Sequence, residues 1–298
     1  MSVRISVQLC TFNRRDLLGK SLKALFQVDF PASDYEIVLV DDGSSDGTQE
    51  MVSGLRPPCR LVYQRQENSG LAAARNLGIR HSDGEVILFI DDDIIADPGL
   101  LAEHWASHER HEKLVVMGRV CHVDSLDGKL RPRFKLADLS TSFFWTSNCS
   151  VRRRHLLAAG LFDEDFREYG WEDIEMGLRL REIGLARRFN TRAVVYHFKS
   201  AWRISDLPAL FRRARASGRS AVILLGKRPC ARVRLSTGIF SARLVLDNLL
   251  RRGEPYFRSR VAGETDELSG LRLACARTLV SFEYFEAVRA SLADREQS

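Results

Sequence analysis

The first ninety residues alternate between short apolar segments of strand length and segments with helical periodicity. Apolar strands are predicted at residues 3–10, 35–40, 60–64 and 85–90. Helices are predicted at residues 14–28, from about 46, and at 69–81. Strand and helix therefore alternate repeatedly, which predicts an α/β fold with a mostly parallel, twisted sheet, helices on its faces and right-handed crossovers.

The pattern changes after Pro98 and again near Ser205. Helices are predicted at 97–111, 152–160 and 172–184, with extended segments at 114–123, 140–151 and 193–197. Beyond this point the chain is predicted to be mainly helical, at 206–226, 236–252 and 265–293. We therefore expect one α/β domain at residues 1–204 and a helical C-terminal extension at residues 205–298.

Composition indicates a globular protein without a membrane span. Hydrophobic residues make up 45% and charged residues 28% of the 298 positions, and no apolar run is long enough to cross a bilayer. The first ten residues read as a strand and lack the features of a signal peptide. The six cysteines form no CxxC pair, so neither a disulfide framework nor a zinc site is indicated. A cytoplasmic location is expected.

Basic residues are concentrated in the C-terminal region. Residues 203–260 contain 14 Lys or Arg and 3 Asp or Glu, within a chain whose net charge is +6. This region either is a solvated helical face or contacts an anionic partner such as phospholipid, a lipid-linked or polyanionic acceptor, or nucleic acid. The apolar segment 221–225 beside the arginines would suit peripheral contact with an anionic membrane at its inner face. The region also offers a surface for oligomer contacts.

Carboxylates follow two of the predicted strands. Asp91, Asp92 and Asp93 come directly after the strand at 85–90, and Asp41 and Asp42 end the strand at 35–40. Adjacent parallel strands would bring both clusters to one edge of the sheet, where open α/β sheets bind their ligands. Closely packed carboxylates repel one another, and Mn²⁺ or Mg²⁺ would relieve this repulsion. The alternative is a solvated acidic loop without an ion.

The turn after the first strand excludes several familiar kinds of nucleotide-binding site. That turn is Cys10-Thr-Phe-Asn-Arg14, and the chain has no GxGxxG motif, P-loop or nucleophile elbow. The first half of the chain therefore presents aromatic, amide and acidic groups to a nucleotide, with a metal for its phosphates.

Six sequence blocks, in this order, resemble the family 2 glycosyltransferases. They are CTFNR (10–14), VDDGSSDGT (40–48), NSGLAAARNLG (68–78), GEVILFIDDD (84–93), SNCSVRR (147–153) and GLFDEDFREYGWEDIEMGLRL (160–180). The resemblance covers roughly residues 3–200. It implies a GT-A fold and an inverting, metal-dependent enzyme that moves a sugar from a nucleoside diphosphate donor, with UDP favoured. The implied acceptor is a hydroxyl of a cell-surface glycan, a lipid-linked saccharide or another saccharide, as in polysaccharide biosynthesis.

The resemblance also implies a nucleotide-binding set. Phe12 stands where the family has an aromatic side chain stacked on the base, and Asp42 stands at the position that reads the uracil edge. Asp42 could also cap the following turn. Arg75 is similar to a residue near the phosphates, with a pairing to a neighbouring carboxylate as the open alternative. The complete set is Thr11, Phe12, Asn13, Arg14, Asp42, Gly43, Arg75, Asp91 and Asp92.

The metal site is implied by the D-x-D pattern. Asp93 would coordinate the ion directly. Asp91 and Asp92 would contact the ribose or metal-bound water, and Asp91 is also a candidate metal ligand. His197 follows an apolar segment and resembles the third metal ligand of the family. A His at the end of a strand is otherwise an ordinary surface or core residue.

Glu172 and Asp173 resemble the acidic pair that carries the base of the family. Asp173 is expected to take the acceptor proton and Glu172 to orient a sugar. Acidic residues in the first turn of a helix also have a simpler explanation in the helix dipole. Trp171, expected to be exposed, is predicted to stack on a sugar, and Trp145, Ser147 and Asn148 are predicted to line the donor-sugar pocket.

Two other functions are alternatives to this prediction. A sugar-1-phosphate nucleotidylyltransferase would share the α/β layout and the acidic metal ligands, but it requires a Gly-rich basic loop after the first strand, and no glycine occurs before Gly19. A non-catalytic nucleotide or nucleic-acid binder would use the basic region. No zinc-finger, RNP or KH-like pattern supports it, so nucleic acid is not expected as a partner.

Overall fold

The computed structural model describes residues 3–123, 125, 130, 142–263 and 265–296. The chain divides into two units, one formed by Met1–Arg167 and Glu172–Ser200 and the other by Glu168–Trp171 and Ala201–Ser298. We call them the first and the second unit. The function assigned to residues 205–298 from the sequence stays a prediction.

A mixed sheet of eight strands forms the centre of the first unit. The strands are β1 (Ile5–Thr11), β2 (Tyr35–Asp41), β3 (Arg60–Arg65), β4 (Val86–Ile90), β5 (Ile94–Ala96), β6 (Leu114–Val123), β7 (Asn148–Arg152) and β8 (Ala186–Phe198). Their order is β3-β2-β1-β4-β7-β6-β8-β5. The pairs β3–β2, β2–β1, β1–β4 and β6–β8 are parallel, and the pairs that involve β7 or β5 are antiparallel. The predicted fold class is confirmed.

Strand β1 lies between the two strands that end in carboxylates. The prediction placed the two clusters on adjacent strands, but β2 and β4 both pair with β1 and not with each other. Both clusters nevertheless follow the carboxyl ends of parallel strands. The turn after β1 therefore lies between the two acidic clusters.

Helices cover both faces of this sheet. They are α1 (Arg15–Leu25), α2 (Thr48–Ser53), α3 (Leu71–Arg80), α4 (Leu100–Arg110), α5 (Arg153–Ala159) and α6 (Glu172–Glu182). Along β4, alternate residues belong to two different core clusters: Leu88 packs with residues of α1, and Phe89 packs with residues of α3 and α6. A strand buried on both faces has no polar positions, which is why β4 reads as a continuous apolar run.

The second unit is helical. Its helices are α7 (Leu207–Lys227), α8 (Ala231–Thr237), α9 (Ser241–Arg251), α10 (Glu254–Val261) and α11 (Gly270–Glu296). The helix predicted over 236–252 is present as α9 but begins later, at Ser241, because Gly238 has a positive φ of 71° and ends α8. Helix α10 was not predicted. None of the described helices combines the length and the apolar character that crossing a membrane requires.

Two other predicted segments differ from the structure. The extended segment predicted at 140–151 begins outside the described residues, and its described part contains only strand β7, from Asn148. The apolar segment 221–225, expected beside a membrane, contributes Ala221, Val222 and Leu224 to the buried core of the second unit. It is therefore not available to lipid.

Candidate active site

The aspartate triplet directly follows strand β4 at the sheet edge. His197 lies at the same place, near the end of strand β8. After β4 ends at Ile90, the chain turns into β5, whose Ile94 pairs with His197. Nε2 of His197 then lies 3.3 Å from Oδ2 of Asp91 and 3.2 Å from Oδ1 of Asp93. One ligand atom from each of the three residues falls within 4.8 Å of the others. The structure thus brings the three predicted metal ligands together.

The electrostatics of this cluster favour a cation at its centre. Burial lowers the pKa of His197, but its hydrogen bond to Asp91 and the charges of Asp93 and Asp91 outweigh this and raise the pKa above its usual value. Burial would raise the pKa of Asp91, yet His197 holds that pKa below its usual range. Oδ1 of Asp93 is buried and accepts no hydrogen bond within the described residues. Two carboxylate oxygens and an imidazole nitrogen fit Mn²⁺ or Mg²⁺.

Arg14 and Asp92 join the turn after β1 to the acidic cluster. Nη1 of Arg14 donates to Oδ1 of Asp92 over 2.9 Å and to Oδ2 of Asp93 over 2.8 Å. Oγ1 of Thr11 donates to the other oxygen of Asp92 over 2.7 Å. Burial raises the pKa of Asp92 to about 6, although the charge of Arg14 opposes this. Both oxygens of Asp92 therefore bind protein groups, and its contact with ribose or metal-bound water stays a prediction.

Asp42 organises the loop that leads into α3. Its Oδ1 accepts from Nε2 of Gln66 over 2.7 Å and from the Ser69 backbone N–H over 2.9 Å, and its Oδ2 accepts from the Gly70 N–H over 3.0 Å. The turn that Asp42 was expected to cap is instead closed by Asp41, whose Oδ1 accepts from the Ser44 N–H over 2.7 Å. The uracil contact of Asp42 stays a prediction.

Asn13 joins the turn after β1 to the loop after β2, and Gly43 in that second loop has a backbone conformation that favours glycine. Gly43 has a φ of 92°, and a Cβ there would lie 3.0 Å from the Asn68 backbone nitrogen, so a side chain would be strained. Asn13 also has a positive φ, of 52°. Its N–H donates to Oγ of Ser44 over 2.9 Å, and its Oδ1 accepts from the Ser45 N–H over 2.8 Å. The preceding Phe12 remains 46% exposed, as a ring that stacks on a base must be.

Arg75 crosses from the nucleotide side of the site to helix α6. Its buried guanidinium donates to Oε1 of Glu172 and to Oγ1 of Thr146, each over 2.6 Å. Arg75, Asp91 and Thr146 also line one small cavity, together with Gln8, Cys10, Leu71, Phe89 and Ile90. The structure therefore shows the carboxylate pairing that the sequence left open for Arg75. A contact of Arg75 with phosphate stays a prediction.

Asp173 has the properties of a proton acceptor. It is half-buried, and its Oδ1 accepts from the Ile174 N–H over 2.7 Å. Burial and then the charge of Glu172 raise the pKa of Asp173 to about 7, with Arg75 opposing the shift and Asp91 adding to it. The neighbouring Glu172 is buried and held by Arg75. Glu172 is therefore held in place by Arg75, whereas Asp173 remains partly accessible.

The predicted sugar-binding residues are not all available for a sugar. Asn148 is fully buried: its amide donates to the carbonyls of Arg119 and Ala193 and its oxygen contacts Nε2 of His104. Asn148 is therefore not available to bind a sugar, and the prediction that it lines the donor-sugar pocket is wrong. Trp145 is half-buried against both core clusters, and Ser147 makes a hydrogen bond that helps to lower the pKa of Asp91.

The expectation of an exposed Trp171 is wrong. Trp171 is half-buried in the second unit, where it packs against a cluster that contains Ala221 and Val222. Its indole N–H donates to the backbone oxygen and to Oγ of Ser217, over 2.9 and 3.1 Å. The backbone at Trp171 has a φ of 76° and follows Gly170 with a φ of 100°. Stacking of Trp171 on a sugar stays a prediction.

Two contacts in and near the site are not predicted from the sequence. Thr146 binds Arg75, and no motif around it signals this contact. Asn76 follows Arg75 in the NSGLAAARNLG block, and its side chain binds the N–H and the carbonyl of Phe162 and a carboxylate oxygen of Glu164. Asn76 therefore links that block to GLFDED, and both blocks are among the six that carry the family resemblance.

Comparison with known proteins assigns the chain to a family. The family model described as glycosyl transferase family 2 matches residues 6–164, which is more than half of the chain and contains both acidic clusters and Arg75. The chain belongs to glycosyl transferase family 2. The resemblance inferred from the six sequence blocks is confirmed.

Individual relatives agree with this assignment. The chain is 28% identical to an uncharacterized glycosyltransferase, YfnE, of Bacillus subtilis (65% of this chain and 64% of the relative). It is 30% identical to a validoxylamine A glucosyltransferase of Streptomyces hygroscopicus subsp. jinggangensis (61% and 52%). The chain thus spans less than two thirds of the length of these relatives.

A solved structure shares the fold. The mannosyltransferase PcManGT of Pyrobaculum calidifontis, in complex with GDP-Man and Mn²⁺, superimposes with a TM-score of 0.64 at 19% identity, covering 99% of this chain and 88% of that one.

Proposed function

We propose that this protein is an inverting glycosyltransferase that transfers a sugar from a nucleoside diphosphate donor to an acceptor hydroxyl. The observation that carries the proposal is the position of Arg75. This one side chain lines a cavity with Asp91 of the metal-ligand cluster and also binds Glu172, the neighbour of Asp173. A donor held at the acidic cluster would therefore lie near a carboxylate that can take a proton.

The nucleotide is proposed to bind over the carboxyl ends of β1 and β2. The exposed ring of Phe12 supplies a stacking surface, and Asn13 fixes the loop that contains Ser44 and Ser45 beside it. Asp42 is proposed to face the base, and its partners Gln66 and Ser69 restrict its orientation. UDP is the proposed nucleotide, and GDP is the competitor to test, since PcManGT binds GDP-Man.

Asp91, Asp93 and His197 are the residues proposed to hold Mn²⁺ or Mg²⁺. A bound divalent cation would neutralise the diphosphate and so make it a better leaving group. Arg14 offers a further positive charge beside Asp93. Because the side chain of Arg14 is 42% exposed, it is proposed to donate to a phosphate oxygen as well.

The proton transfer is assigned to Asp173. Its raised pKa, of about 7, makes it a competent general base near neutral pH. As the acceptor oxygen attacks the anomeric carbon, the bond to the diphosphate breaks on the opposite side and the hydroxyl proton passes to Asp173. One displacement of this kind inverts the anomeric configuration. Glu172, held by Arg75, positions the start of helix α6.

The acceptor is proposed to be a saccharide, either free, lipid-linked or part of a cell-surface glycan. One relative is named validoxylamine A glucosyltransferase, which supports transfer of a sugar to an acceptor. Location at the inner face of the membrane is proposed on the basic C-terminal region.

A thermal-shift panel tests the donor assignment without knowledge of the acceptor. UDP-, GDP- and dTDP-sugars are added with Mn²⁺ and again with EDTA. We expect a stabilisation by one or more UDP-sugars that EDTA removes. Stabilisation by GDP-sugars alone would replace the proposed nucleotide, and no response to any nucleotide sugar would overturn the function.

A further inference from the structure

Helix α9 turns apolar side chains toward solvent. Val245, Leu246, Leu249 and Leu250 are 56%, 43%, 52% and 41% exposed. Their spacing of one, three and four residues places them along one stripe of the helix surface. In a helix that packs on its own protein, such a stripe faces the core. The face that α9 presents to solvent is therefore the one expected to be covered.

The opposite face of α9 is held by charges. Asp247 is buried and accepts from Nη1 of Arg289 in α11 over 2.7 Å, with Nε of Arg251 3.8 Å away. Leu244, on the same side as Asp247, packs against the core cluster of the second unit. Rotating the helix to bury its leucines would expose Leu244 and break the Asp247–Arg289 pair. The outward orientation of the stripe is thus built into the fold.

Basic residues surround the stripe along the chain. Residues 227–260 contain nine Lys or Arg and two Asp or Glu, an excess of +7. Arg232, Arg234 and Arg252 are exposed in α8 and directly after α9. The neighbouring helices also expose single large apolar residues, with Leu235 of α8 at 71% and Tyr256 of α10 at 49%. A short apolar stripe among arginines is the pattern of an interfacial membrane helix.

We propose that α9 docks on the surface of an anionic lipid membrane, with Leu246, Leu249 and Leu250 in the boundary between headgroups and acyl chains. The surrounding arginines then meet lipid phosphates, which attract each basic residue near the surface. This surface replaces the segment 221–225 that the sequence indicated, because that segment is buried. The inference is independent of the nucleotide site.

The charge argues against a second copy of this chain as the occupant. Two copies that met through α9 would bring two segments of +7 together, and like charges at an interface are repulsive. A standard protein interface uses roughly 20–30 residues a side, and the stripe has four. An anionic membrane needs neither a larger area nor a complementary protein surface.

Co-sedimentation of the full chain with vesicles tests the proposal. One set of vesicles contains phosphatidylcholine alone and the other contains equal parts of phosphatidylcholine and phosphatidylglycerol. We expect the protein to pellet with the anionic set only. The variant Leu246→Ser/Leu250→Ser should bind at least tenfold more weakly. Leu157→Ser, which changes a leucine of similar exposure (44%) in α5, is the matched control and should bind like the wild type.

Three outcomes would overturn the proposal. The wild-type protein could stay in the supernatant with both vesicle sets, or the double variant could pellet as well as the wild type, which would leave the stripe without a role. Light scattering after size exclusion could also show a wild-type dimer that the double variant dissociates, which would assign the stripe to a second copy. The thermal shift with nucleotide sugar, unchanged in the double variant, shows that its fold and nucleotide site are intact.

Discussion

The guanidinium of Arg75 donates a 2.6 Å hydrogen bond to Oε1 of Glu172, although 97 positions separate the two residues in the chain. Both side chains are at least nine-tenths buried, so the charge pair is shielded from water. This bond ties α3, which follows the nucleotide loop, to the start of α6, which carries Asp173. This ion pair therefore contributes, with the shared apolar core, to the relative placement of the proposed donor site and the proposed base.

Removal of Arg75 should destabilise the protein strongly. Arg75→Met leaves the Glu172 carboxylate buried without its cation, and breaking a buried pair in this way costs about 3–5 kcal/mol. The double variant Arg75→Met/Glu172→Gln should regain part of this loss, because no unpaired charge remains. Urea unfolding of both variants measures the effect. Arg80→Met, at an exposed arginine of the same helix, is the control and should change the midpoint little.

Replacement of Asp173 should remove catalysis but spare donor binding. Asp173→Asn keeps the shape of the side chain and cannot accept the proton, so turnover should fall by about 10²–10⁴-fold. The affinity for nucleotide, measured by calorimetry, should stay within twofold of the wild type. Glu182→Gln, at the other end of α6, is the matched control and should retain turnover. Wild-type turnover in Asp173→Asn would show that another group takes the proton.

The dependence of the rate on pH should follow the ionisation of Asp173. The base works when it is deprotonated, and its pKa is raised to about 7, so kcat/KM should rise with pH and level off above about 7. Below that value the rate should fall by about tenfold per pH unit. A rate that is flat from pH 5 to 8 would be inconsistent with this carboxylate as the base.

The charge of Arg75 should set the midpoint of this pH profile. The charge of Arg75 lowers the pKa of Asp173, against burial and the charge of Glu172, which raise it. If Arg75→Met folds, the midpoint of the pH profile should move to higher pH, whereas Arg75→Lys, which keeps the charge, should move it less. A midpoint that is identical in all three proteins would restrict Arg75 to a purely structural role.

Buried histidines should make the fold sensitive to acid. His104 is fully buried between Ser150 and Asn148, and burial lowers its pKa to about 4. The unfolded chain binds this proton below about pH 6.5, so stability should be full above 6.5 and should fall as the pH drops toward 4, by about 3 kcal/mol. His104→Gln should flatten this part of the stability curve, and His81→Gln, at an exposed histidine, should not.

The sequence predicted the parts of the site that lie close together along the chain. The apolar strand β4 and the acidic triplet after it are contiguous, and the periodicity of the segment identifies both. Asp41 and Asp42 are also contiguous, but their separate roles could not be predicted from the sequence. The direction of the backbone after β2 decides which of the two carboxylates caps the turn. The bond between Arg75 and Glu172 joins distant segments, and only the resemblance hinted at their proximity.

Tertiary packing decided the features that the sequence missed. Strand β5 has three residues, too few for periodicity to show, and it exists because β8 offers it a partner. The SNCSVRR block suggests Asn148 as a sugar ligand, yet Asn148 is buried and its side chain is occupied by three polar partners. The helix over 236–252 was predicted through Gly238, whose left-handed conformation could not be read from periodicity alone.

The most direct test of the account is a titration of UDP into the protein with and without Mn²⁺. If Asp91, Asp93 and His197 hold the cation that binds the diphosphate, then wild-type affinity should fall at least tenfold in EDTA, and Asp93→Ala and His197→Ala should each lose the benefit of Mn²⁺. His81→Ala, an exposed histidine outside the cluster, should behave like the wild type. Equal affinity in Mn²⁺ and in EDTA for the wild-type protein would contradict the central claim.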